Sequence, residues 1–335
     1  MLVGRQTWLF ENRPVIRATG TVGGPFEANG KIANDFDLLH EDLWIGQDSY
    51  EKAQRVMLEE SIEKALEKAD VKKEDVEFLF AGDLINQLTP SSFAARTMAI
   101  PYFGLFGACS TSMEGLALAA FIVNAKGAKH IIAATSSHNA ATERQFRYPT
   151  EYGAQKPPTS QWTATAAGAA LVSAEGNGPV ITSATIGKVV DMGMTDPLNL
   201  GGAMAPAAID TISAHFRELD LPHDHYDLIA TGDLGKIGLP IAKELAAEAG
   251  LSIPEESFQD CGLMMYREGQ PVLAGASGAG CSAAVTYGHL INRMKKGEIT
   301  RMLIVATGAL LSPLSYQQNE TIPCIAHAVS IEVGD

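Results

Sequence analysis

Two stretches of this chain echo one another in order and in spacing. Asp227-Leu-Ile-Ala-Thr-Gly232 repeats the apolar run Val76-Glu-Phe-Leu-Phe-Ala-Gly82, and both continue into Gly-Asp-Leu, at Gly82-Asp83-Leu84 and Gly232-Asp233-Leu234. Cys281-Ser282 echoes Cys109-Ser110. Val305-Ala-Thr-Gly308 echoes Ala133-Ala-Thr-Ser136, and 25 residues separate the Cys-Ser pair from the Ala-Thr pair in each half. Only six of 34 positions from Gly107 onward are identical between the halves, so order and spacing carry the inference. They predict a duplicated βαβ-rich unit, far longer than a solenoid repeat.

Each strand signal alternates with a helical one, which predicts an α/β architecture with helix-covered sheets. Ser49 is a candidate N-cap for a helix whose Val56, Met57, Ile62, Leu66 and Ala69 recur at helical spacing. The segment Met113–Val123 is apolar on nearly every side. That predicts a helix buried among other elements rather than one on the surface. The halves are expected to divide into residues 1–175 and 176–335, at the turn-rich Gly176-Asn-Gly-Pro179. Residues 1 to about 48 read as irregular, with Gly20-Thr-Val-Gly-Gly-Pro25 among them.

Charge narrows the function classes. With 25 Lys and Arg against 39 Asp and Glu, the formal charge is −14. No basic face suited to nucleic acid exists, and anionic lipid would repel the chain, so membrane association would need a protein partner. No apolar leader opens the sequence, and no run of about 18 apolar residues would span a bilayer. The four cysteines, Cys109, Cys261, Cys281 and Cys324, form no CxxC pair and lack zinc spacing, so free thiols in a reducing compartment are expected.

Strand, then Gly107-Ala-Cys-Ser-Thr-Ser112, then a buried helix, in the first of two related halves, resembles the thiolase superfamily. Further stretches resemble one branch of it, the family of stage V sporulation AD proteins. They are Ala134-Thr-Ser-Ser-His-Asn-Ala140, Glu143-Arg-Gln-Phe-Arg-Tyr-Pro-Thr-Glu-Tyr-Gly153, Met204-Ala-Pro-Ala-Ala208, Ala306-Thr-Gly-Ala-Leu-Leu-Ser-Pro313 and Ile322-Pro-Cys-Ile-Ala-His327. The resemblance implies a five-layered αβαβα thiolase-like fold. It also implies dipicolinic acid (pyridine-2,6-dicarboxylate) as ligand, and membrane proteins of the sporulation V-A complex as partners. The protein would then lie in the cytoplasm or peripherally at the inner forespore membrane, as a homodimer pairing through the strand near Tyr102–Phe106.

Cys109 at a strand-to-helix turn would have a helix N-terminus aimed at its sulfur, which favours thiolate. Acyl transfer also needs a base and an oxyanion site. Thiolases carry Gly-His-Pro near the start of the second repeat; here Leu273-Ala-Gly-Ala-Ser-Gly-Ala-Gly-Cys281 has no His. Ketoacyl synthases place a His after the strand that corresponds to Asp227–Thr231; here Gly232-Asp233 follows. The chain therefore reads as a binder more than an acyltransferase, with Cys109 the only catalytic candidate. A scaffold without ligand or chemistry is the third reading.

Candidate ligand contacts are Cys109 and Ser110 at the helix start, Ser136 and His138 after the Ala133-Ala134-Thr135 strand, and Arg144 and Arg147 in the next loop beside Phe146, Tyr148 and Tyr152. That loop could equally make a dimer contact. Asp83, Asn86 and Gln87 could line the same pocket, with calcium between Asp83 and a dianion, or Asp83 could cap the following helix. By repeat symmetry Asp233 reads as structural. Cys324 and His327 lie where thiolases keep a second reactive Cys, and a buried His held by the backbone is the alternative there. No cofactor is expected beyond calcium accompanying the ligand.

Overall fold

The structure is a computed structural model that describes residues 1–146 and 156–334. Ten strands form its frame: β1 (Val15–Gly23), β2 (Phe78–Gly82), β3 (Tyr102–Gly104), β4 (His130–Ser137), β5 (Ala166–Ser173), β6 (Val180–Thr185), β7 (Leu228–Thr231), β8 (Phe258–Asp260), β9 (Arg301–Ala309) and β10 (Cys324–Glu332). The first five run in the order β1-β5-β4-β2-β3 and the second five in the order β6-β10-β9-β7-β8. In each set the middle strand and the two beyond it are mutually parallel, and the other two neighbouring pairs are antiparallel. The two sets meet through one pairing, Val180 opposite Val15. The echo read in the sequence is thus a repeated sheet topology.

The main helices are α1 (Tyr50–Ala69), α2 (Thr89–Met98), α3 (Thr111–Asn124), α4 (Asn139–Phe146), α5 (Leu200–Leu219), α6 (Gly235–Glu248) and α7 (Ala279–Ala284), the last continuing as a π-turn and a final helical turn to Lys295. Helices α3 and α7 lie between the sheets, α1 packs on the outer face of the first and α5 on that of the second. This gives the five layers αβαβα. The apolar surround of α3 follows from that place: Met113, Leu116, Ala117 and Ala120 are buried in one core with Ala283, Val285 and Tyr287 of the facing repeat. Ser49 caps α1 through Lys52 N, and Asp70 ends it in a left-handed conformation.

One expectation is corrected. The segment read as irregular contains β1, a nine-residue strand buried for most of its length, as well as three short strands, Leu2–Val3, Thr7–Leu9 and Leu38–Leu39. Its glycines mark close packing instead of a loop: a Cβ on Gly20 would lie 2.0 Å from the carbonyl oxygen of Ser61 in α1. Among the described residues, no helix is long and apolar enough to cross a membrane.

Candidate functional site

Cys109 sits in a tight turn, Ala108–Ser110, that leads into α3. Ala108 is left-handed at φ 51°. The turn is pinned by three bonds: Ser110 Oγ donates to Gly107 O (2.6 Å), Thr111 Oγ1 to Ala108 O (2.7 Å), and Gly107 N to Thr111 Oγ1 (3.1 Å). Strand β9 presses against it, where a Cβ on Gly308 would be 2.2 Å from Gly107 O.

The thiol faces the second half. Cys109 Sγ is 4.0 Å from Ser277 Oγ, and the carboxyl of Asp233 lies close enough to act on the thiol electrostatically. Asp233, 1% exposed, follows β7. Its Oδ2 accepts from Ser277 Oγ (2.7 Å) and Gly278 N (3.1 Å), and its Oδ1 from Thr307 Oγ1 (2.8 Å). Behind it Asp260 accepts from Thr231 Oγ1, Leu234 N and Gly235 N, which fixes the start of α6 and thereby the Asp233 loop. Burial raises the Asp260 carboxyl to about 6.

Burial pushes the Cys109 thiol well above its ordinary range, and the Asp233 charge pushes it further the same way. Burial likewise raises Asp233, while its hydrogen bonds oppose that. The helix start expected to favour thiolate is present, but burial and a neighbouring carboxylate outweigh it. Cys109 is a neutral thiol at neutral pH.

Cys109 borders a cavity of about 140 Å³ between the halves. Leu84, Phe106, Phe146, Leu198, Met204 and Leu311 give it apolar walls; Thr142, Ser160, Gln161, Thr163 and Ser277 give it polar ones. Among the described residues no Arg, Lys or His lines it. Glu143 does, and Lys156 Nζ pairs with Glu143 Oε1 at 2.6 Å.

The other residues singled out in the sequence lie elsewhere. Asp83 is fully buried and accepts from Ile85 N (2.7 Å) and Ser91 N (2.9 Å), holding the first turn of α2, which is the capping alternative. Burial raises it to about 6. Asn86 and Gln87 line a neighbouring groove that shares Leu84, Phe106, Phe146 and Leu311 with the cavity. Ser110 is spent on its own turn. Ser136 accepts from Gln54 Nε2 of α1 through both its carbonyl and its hydroxyl oxygens. His138 Nε2 bonds Leu43 O (2.9 Å) and its ring stacks on Tyr50. Burial lowers its pKa. Arg144 pairs with Glu51 on the surface. His327 accepts from Gly187 N (3.3 Å), and burial lowers it to about 4, so it is a neutral ring held by the backbone. Cys324 packs in the core between β10 and α5, and burial pushes its thiol up to about 12. Arg147, Tyr148 and Tyr152 lie outside the described residues.

Sequence reasoning did not single out Ser160, Gln161 or Thr142. They lie outside the repeat and the quoted cysteine motif, and only the folded chain brings them beside Cys109.

A two-fold repeated αβαβα fold with a buried cysteine at the head of α3 defines a thiolase-like protein. Solved structures agree. The chain is similar to 3-oxoacyl-[acyl-carrier-protein] synthase III from Aquifex aeolicus VF5, at 13% identity and a TM-score of 0.57, covering 96% of this chain and 99% of that one. It is similar to cerulenin-bound OleA from Xanthomonas campestris, at 13% identity and a TM-score of 0.60, covering 97% of each. At such identity these relatives share the fold alone. A family model described as stage V sporulation protein AD matches residues 4–332. The stage V sporulation protein AD of Bacillus subtilis (strain 168) is 48% identical over 331 residues, 99% of this chain and 98% of that protein. The chain belongs to the stage V sporulation protein AD family.

Proposed function

We propose that this chain binds dipicolinic acid, alone or as its calcium complex, in the cavity beside Cys109, as part of the sporulation complex that moves dipicolinate into the forespore. The carrying observation is a ligand-sized, mostly apolar cavity bordered by a neutral thiol with a buried carboxyl beside it. Volume supports a single small ring: an engineered cavity of about 150 Å³ takes benzene. Apolar walls suit the faces of a pyridine ring, and hydroxyls suit its carboxyl groups. Family membership supports a role in sporulation. Membrane proteins of the complex would hold the chain at the inner forespore membrane; cytoplasmic residence is the other expectation. Calorimetric titration with dipicolinate, with calcium and with a chelator, is expected to give one site per chain. A flat titration under both conditions would leave the scaffold reading standing.

The second reading is acyl transfer through Cys109. Its support is the position of the thiol at the head of α3, facing a cavity. Among the described residues it lacks a histidine in the cavity wall.

The proposal extends to assembly as a homodimer. Among the described residues strand β3 pairs on only one side, with β2, and Phe103 beside that free edge is 51% exposed. An unpaired apolar edge is a template for a second strand. Light scattering is expected to give the mass of two chains at micromolar concentration, and Phe103→Glu to give one. A stable monomer before substitution would remove this part of the proposal.

A further inference from the structure

Ser160 is 1% exposed and Gln161 8%, and both line the cavity. Among the described residues, Ser160 Oγ and Gln161 Oε1 are buried without a hydrogen-bond partner, as is Thr142 Oγ1 in the same wall. Buried polar atoms are normally satisfied, so three orphans around one cavity point to a ligand that supplies the missing partners.

The polarity of those partners can be worked out. Gln161 Nε2 donates to the backbone oxygen of Asp233, which fixes the amide and leaves Oε1, an acceptor only, unmet. Ser277 has spent its proton on Asp233 and can only accept from the cavity side. Ser160 can donate or accept. An ionised carboxylate is acceptor-only. Set against Gln161 Oε1 it would oppose two acceptors, with no cation in the described wall to offset the charge. A carboxylic acid that keeps its proton satisfies both groups: its hydroxyl donates to Gln161 Oε1 while its carbonyl accepts from Ser160.

We propose that Ser160 and Gln161 form a carboxylic-acid subsite that holds one carboxyl of the ligand in its protonated form. This rests on the reading that the cavity binds a small aromatic dicarboxylic acid, and it adds which residues recognise it and in which protonation state. The proton comes from solvent, so binding takes up one proton per ligand and weakens as pH rises. The titratable groups around the subsite are Cys109 and Glu143 in the wall, Asp233 behind Gln161, and Lys156 paired with Glu143.

The test is calorimetry of the full chain with dipicolinate and a chelator, in buffers of different ionisation enthalpy, from about pH 6 to about pH 8. Proton uptake close to one per ligand is expected, with affinity falling toward roughly tenfold per pH unit. Gln161→Met is expected to weaken binding by roughly ten- to a hundredfold and to abolish the uptake. Glu143→Gln keeps the uptake if the proton resides on the ligand. Ser160→Ala breaks no hydrogen bond of that hydroxyl among the described residues, so it carries the test should Gln161→Met unfold, and a loss of roughly tenfold is expected. Binding without proton uptake, binding that needs calcium and shows no uptake, or undiminished affinity in Ser160→Ala and Gln161→Met would each overturn the subsite while leaving the ligand reading intact. No binding by the unsubstituted chain would remove both.

Discussion

Replacing Asp233 with alanine is expected to destabilise the protein by about 3–5 kcal/mol, a drop of roughly 10 °C in the unfolding midpoint. The substitution leaves three buried donors, Ser277 Oγ, Gly278 N and Thr307 Oγ1, without an acceptor. Each orphaned donor costs about 1–3 kcal/mol, and water admitted to the new space recovers part of that. Those donors come from β9 and from the turn that opens α7, so the carboxyl ties the second sheet to the central helical layer at the thiol itself. Asn retains one acceptor oxygen, for Thr307, but turns an amide NH₂ toward the Gly278 N–H, and should fall between the two. Thermal unfolding followed by circular dichroism checks this. A midpoint for Asp233→Ala within about 2 °C of the unsubstituted chain would mean that the carboxyl does not hold the site together.

The second large effect concerns the reactivity of Cys109. The start of a helix favours an anion by about 0.3–1 kcal/mol, and by about 2 kcal/mol at best, equivalent to little more than one pKa unit. Full burial alone moves a titratable group by as much as about 3–5 units in the opposite direction. Cys109 is buried and has the Asp233 charge beside it, so both dominant influences favour the thiol. Alkylation needs the thiolate. At neutral pH the rate at Cys109 is therefore expected to be at least about a hundredfold below that of an exposed cysteine. Cys261, Cys281 and Cys324 are buried and raised as well, so they give little background.

The parts of this molecule that were legible in its sequence are those written in local pattern. The strands ending at Gly82 and Thr231, the apolar helix after Cys109 and the repeated order of elements all follow from apolar runs and their spacing. Strand β1 was not legible, because glycines and threonines that allow α1 to approach closely read locally as a turn. At the site, the motif identified Cys109, and the echo of Gly-Asp-Leu drew attention to Asp233 without showing that its carboxyl meets the thiol. The echo also concealed a difference: Asp83 holds the first turn of α2, whereas its counterpart Asp233 faces Cys109. Gln161 and Ser160 carry no sequence signal, since their unmet oxygens become visible only when the cavity is closed around them. His138, His327 and Arg144 have the right chemistry for a carboxylate, but each is engaged by a partner outside the cavity, and pairing of that kind depends on tertiary neighbours.

Everything turns on the protonation state of one sulfur. Peptide-resolved mass spectrometry of iodoacetamide adducts, followed from about pH 6 to about pH 10 and repeated with an acyl-CoA in place of the alkylating reagent, reads it directly. The expected record is almost no adduct on Cys109 near neutrality, a rise only above about pH 9, and no acyl-enzyme at any point. Rapid stoichiometric alkylation or acylation of Cys109 near pH 7 would show a working nucleophile and contradict the account.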